Sequence, residues 1–200
     1  VKLVEALLVR NVWISLAACL VFYLVDDYLG MYETALYKTL GGETLVLEGR
    51  YERASSLLDA NKRPRLVSVR LIGILAALTA GVLALWWLFT YRYNRPEVFL
   101  FCLGGLLLVE AASLIQSIRA ITVFRYIRDQ GGVKGKIELP RKLVVSLAYV
   151  EMYAFTGLYL LAFIVSGSWF FLGGTLTSFV MAQQRRDYAL LQRRTGAYRK

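Results

Sequence analysis

Glu110 and Glu151 are the residues best placed to do chemistry, because each is the acid within a long apolar run. The first run, Glu97 to Arg119, reads EVFLFCLGGLLLVEAASLIQSIR; the second, Lys142 to Val165, reads KLVVSLAYVEMYAFTGLYLLAFIV. Each is long enough to cross a bilayer core, which takes about 20 apolar residues. Glu110 lies nine residues before Arg119, and Glu151 nine residues after Lys142. If both basic residues mark one membrane face, a rise of about 1.5 Å per residue sets both carboxyls roughly 13 Å inside it, level on antiparallel neighbours. An acid at such depth is a functional-site hypothesis by default. Ser113 and Ser117 share the face of Glu110 at i+3 and i+7, extending it into a polar line. Two carboxyls that meet in a low-dielectric site share a proton or hold a cation, which is the chemistry of proton or cation passage.

Other charges fall near span ends. Asp26 and Asp27 close the first apolar run, and Arg70 lies at the end of the second run that those acids reach, so an Arg70 pair with Asp26 or Asp27 is expected. Snorkelling of Arg70 to the headgroups is the alternative. Asn11, Ser15 and Asp26 fall within about 60° of one another on a helix, a side that should face protein. The commonest use of Asn11 and Ser15 there is a hydrogen bond to a neighbouring helix. Arg70, Gly73, Ala77, Gly81 and Ala84 line one face, and the last four form a small-residue ladder on which another helix should dock.

These residues are positioned by an all-α, polytopic membrane helix bundle read as one transmembrane domain over residues 1–200. Five transmembrane helices are expected at about 3–29, 66–91, 97–119, 142–165 and 169–184. The first includes Leu3 to Val9, with Arg10 snorkelling. Segment 30–65 reads as a short amphipathic helix, a turn at Gly41-Gly42, a partly extended ETLVLEGRYE and a second short surface helix. The third helix should continue past Arg119 into water and stop at Gly131-Gly132, followed by a surface turn or small hairpin. The apolar stretch from Leu143 to Met181 is roughly twice the core thickness as one helix, so it folds back at Ser166-Gly167-Ser168. Gly173-Gly174 in the fifth span implies a tilt, a kink or close packing.

Composition sets the class. The chain is 58% hydrophobic and 19% charged, with mean hydropathy +0.51, more apolar surface than a soluble domain of this length buries. Its formal net charge of +10 follows from loop asymmetry and implies no nucleic-acid partner. The absence of histidine removes the commonest ligand of haem, chlorophyll, zinc and copper, so no cofactor or metal is expected. Cys19 and Cys102 lie in apolar spans at different depths and are read as free thiols. GGVKGK resembles a phosphate loop only loosely, since GxxxxGK[ST] is unmatched and no strand precedes it. The chain opens at Val1 without a signal-peptide pattern, and its first residues are expected to have been removed or trimmed.

Segments 30–65, 125–141 and 185–200 carry most of the Lys and Arg, which places them in the cytoplasm with the N-terminus outside. A multi-pass protein of the plasma membrane is therefore expected, with membrane lipids, including anionic headgroups, among its partners. Three functions remain. The level acids favour an ion or small-solute channel or transporter. The small-residue ladder favours a non-catalytic structural or accessory subunit, joined to other membrane subunits or to a second copy. A lipid-modifying enzyme is the third, without a nucleophile or metal constellation to carry it.

Overall fold

The computed structural model describes residues 1–41, 45–47, 69–130, 137–139 and 141–194. Helix α1 spans Lys2–Arg10 and stops at Asn11, whose backbone is extended at φ −127° and ψ 93°. The expected single helix over residues 3–29 is thus divided. The Asn11 Oδ1 atom accepts the Trp13 N–H at 3.1 Å, capping the next helix as Asn commonly does. Across the break Ser15 Oγ donates to the Leu8 carbonyl at 2.8 Å, satisfying a group that the end of α1 leaves open. Asn11 and Ser15 therefore serve the break itself.

Helix α2 then runs over Val12–Gly41. It replaces the expected span end near Leu29 and separate short helix, because nothing in MYETALYKTL interrupts helical hydrogen bonding before the glycine pair. Helix α3, Val69–Trp86, is followed by a π-helical turn, Trp87–Arg92. Helix α4 spans Pro96–Asp129, with Pro at its start and Glu97 in its first turn. At about 1.5 Å per residue it is roughly 50 Å long and extends well beyond a bilayer core, as its continuation past Arg119 led one to expect. Helices α5, Arg141–Ser166, and α6, Trp169–Arg194, form a hairpin. Gly167 makes the turn at φ 65°, a left-handed conformation suited to a residue without Cβ, and its N–H donates to the Phe163 carbonyl at 2.7 Å.

Four helical stretches are long and apolar enough to cross a membrane among the described residues: Val12–Leu36, Val69–Arg92, Pro96–Asp129 and Ser146–Ser166. Among the described residues the protein is all-helical apart from one short ladder, and its apolar helices are those of a multi-pass membrane protein. That ladder pairs β1, Leu45–Leu47, in parallel with β2, Ile137–Leu139. The surface turn or small hairpin expected after Gly131-Gly132 falls largely outside the described residues; of that segment Ile137–Leu139 is described, and it pairs with the distant LVL segment. The surface helix expected before Leu66 and the end of the basic tail lie outside the described residues.

Helix α4 is the centre of the bundle. On one side it packs in parallel with α2 through a cluster that holds Leu8, Val12, Leu16, Cys19, Val82, Phe99, Leu100, Leu103 and Leu107. Nearer the far end Leu36 of α2 meets Ile121 and Phe124. On its other side α4 meets α5 and α6, where Ala112, Met152 and Ala182 form a buried contact. Glycines set the closeness of α4 to α6: a Cβ on Gly104 would strike the Phe170 carbonyl, one on Gly173 the Phe101 carbonyl, and one on Gly174 the Leu108 side chain. Helix α3 lies at the edge. It joins the bundle through buried Leu71 and Val82 and through Trp86 Nε1, which donates to the Val9 carbonyl at 2.9 Å.

Candidate functional site

Helix α4 carries polar residues on two faces, and the two acids answer to different neighbours. Its α2-facing side holds Glu110, Ser113 and Ser117. Ser113 Oγ donates to Asp26 Oδ2 at 3.4 Å, Ser117 is 1% exposed, and Glu110 lies near enough to Cys19 for its charge to act there. Two turns beyond Asp26, on the same face of α2, Glu33 is buried, as is the neighbouring Asp27. Asp26, Asp27, Glu33 and Glu110 each make further interactions within the structure. The result is a polar seam between α2 and α4, closed toward the α1 end by Leu16, Leu100, Leu103 and Leu107.

The other polar face of α4 meets α5. Arg119 forms an ion pair with Glu151, Gln116 Nε2 contacts Met152 Sδ at 3.7 Å, and Tyr159 Oη donates to the Leu108 carbonyl at 2.8 Å. These antiparallel pairs set Glu151 opposite Ser117, whereas Glu110 stands opposite Leu158. The acids are therefore offset by about seven residues, roughly 10 Å along the bundle. The expectation that they are level is corrected, because Arg119 and Lys142 do not stand at one height in the bundle. On this register Lys142 lies beyond Arg119 by about as much, because α4 continues as a helix to Asp129 before the chain turns back.

The expected pair of Arg70 with Asp26 or Asp27 is not formed among the described residues. Arg70 is exposed, since it stands one residue, about 100°, from Leu71, which turns inward. The same rotation carries the small-residue ladder outward. Gly73, Ala77 and Gly81 are exposed, and a Cβ added to Gly73 or Gly81 would meet nothing within 4 Å. Between Gly73 and Ala84 the exposed residues of α3 are Gly73, Ala76, Ala77, Ala80, Gly81 and Ala84, all glycine or alanine. The exposed side of α5 is different in kind, with Leu147, Val150, Leu158, Leu161 and Ile164 more than half exposed.

Arg119 as a partner, Glu33 in the seam and Gly104-Gly105 in the α4 to α6 crossing were not singled out by sequence reasoning. The i+7 spacing of Glu33 from Asp26 was a usable signal for the second of these. At the far end Arg125 lies over the Tyr32 ring at 5.3 Å and donates from Nη2 to its hydroxyl at 3.1 Å. No group of three or more His, Cys, Asp or Glu side chains among the described residues is arranged to hold a metal ion. Comparison of the chain with protein-family models, with curated protein sequences and with solved structures returns no match.

Proposed function

We propose that this protein is a non-catalytic subunit of a membrane assembly, and that α3 docks a transmembrane helix of another subunit or of a second copy. The observation that carries the reading is the exposed face of α3, which is glycine and alanine alone from Gly73 to Ala84. Small residues allow helix backbones to approach within a membrane, where van der Waals packing drives association. The chain uses this device internally, at Gly104, Gly105, Gly173 and Gly174, and there each glycine is covered by a neighbouring helix. On α3 the covering helix belongs to another chain.

The proposed topology has five spans, an external N-terminus and a cytoplasmic C-terminus in the plasma membrane. Support for α6 as the fifth span comes from its extent alongside α5: it starts at the Gly167 turn, and its Arg185 Nη1 reaches the Ala148 carbonyl at 3.5 Å. The ion-conducting reading has less support, because its level acids are offset and Glu151 is occupied by Arg119.

The test is association in a mild detergent. The wild-type chain is expected to run as an oligomer or to co-purify with another membrane protein in fixed stoichiometry. Ala77→Leu should abolish that association and leave the unfolding of the single chain unchanged, since its side chain has room within the chain. A wild-type chain that is monomeric and partnerless when extracted from its native membrane would overturn the reading.

A further inference from the structure

Helix α1 has three distinct flanks, which correspond to three surroundings. With about 100° between successive residues, Glu5, Leu8 and Val9 form one flank, which faces protein. Leu8 is buried in the main cluster, Ser168 Oγ donates to the Glu5 carboxylate, and Trp86 takes the Val9 carbonyl. A second flank holds Leu3, Val4 and Leu7, which are 80%, 55% and 47% exposed. The third holds Lys2, Ala6 and Arg10, all exposed. A helix of nine residues is about 13 Å long and crosses no bilayer.

A second observation gives the height of α1. The chain has four tryptophans, and all lie at the α1 end of the bundle: Trp13 in the first turn of α2, Trp86 at the end of α3, Trp87 at the start of the π-helical turn that follows, and Trp169 at the start of α6. Trp13, Trp87 and Trp169, with Tyr91 and Tyr93, are exposed. Exposed Trp and Tyr gather where membrane meets water. We infer that α1 is an interfacial anchor that lies along the lipid surface at the level of this aromatic belt. Its Leu3, Val4 and Leu7 flank enters the acyl chains, its Lys2, Ala6 and Arg10 flank meets headgroups and water, and the Glu5 to Ser168 contact ties it to the α5 to α6 turn.

Single nitroxide labels test it. Cys102→Ser supplies the background, because Cys19 is 3% exposed and hidden from the reagent; Cys102→Ala serves should the serine variant fail to fold. Labels are placed in turn at positions 2, 3, 4, 6, 7 and 10 in phosphatidylcholine and phosphatidylglycerol vesicles, and collisions with oxygen and with a water-soluble nickel chelate are compared. Oxygen should dominate at positions 3, 4 and 7, at depths of about 5–10 Å below the headgroups, and nickel at positions 2, 6 and 10. A steady rise in oxygen access along all six positions would mean a crossing segment, and nickel dominance at all six would mean a helix in water. Either pattern overturns the proposal.

Discussion

Glu151 and Arg119 show what a carboxylate within an apolar helix requires: a charge or a donor that compensates for lost water. Arg119 is the more exposed of the two, with a side chain 59% accessible against 24% for Glu151. Removal of either partner leaves the other exposed to the apolar surroundings alone. Arg119→Ala and Glu151→Gln should therefore be strongly non-additive in unfolding measurements, with a coupling of about 0.5–3 kcal/mol. Glu110→Gln, on the α2-facing side of α4, and Glu151→Gln, on α5 against the other face of α4, should add within about 0.5 kcal/mol. Coupling between the two glutamates and none with Arg119 would contradict the observed pairing. That both acids are unusual was legible from their apolar neighbours, and so was the line from Glu110 to Ser117. Depth was not legible, because it depends on the register between α4 and α5, and Arg119 and Lys142 do not share a level.

Helix α3 and the α4 to α6 pair both carry small residues, yet the structure puts them to opposite uses. Gly173 lies against the Phe101 backbone, whereas Gly73 has open space. Gly173→Ala should lower single-chain stability by about 1–3 kcal/mol, the usual cost of overpacking, because backbone has little freedom to yield. Gly73→Ala should leave it unchanged or slightly raised, since alanine is the better helix former. Thermal unfolding of both variants in the same detergent checks the contrast, and equal losses would mean that α3 packs within its own chain. Helical boundaries at Gly41 and Gly167 were readable, because each residue acts on its own backbone. The break at Asn11 was hidden in an apolar context, and which ladder is covered depends on tertiary rotation, which periodicity alone does not supply.

The whole bundle is asymmetric about α4, with α2 and the edge helix α3 on one side and the α5 to α6 hairpin on the other. Impermeant labels on single cysteines at Asn94, Arg128 and Asp187, all exposed in the structure, test the five-span topology in intact cells. The first should react from outside and the other two only after lysis; reaction of Asp187→Cys from outside would leave α6 on the external side with four spans. The α6 helix has a further consequence for biosynthesis. Its apolar part, Trp169 to Ala182, gives way to Gln183, Gln184, Arg185 and Arg186, and its glycines carry no apolar side chain to favour lipid by themselves. Presented alone to the insertion machinery, α6 should pass into the aqueous compartment, whereas joined to α5 by the Gly167 turn it should enter as a helical hairpin. A glycosylation reporter placed after α6, with and without α5, distinguishes the two routes, and they diverge only if the newly made α5 waits at the exit site until α6 has emerged.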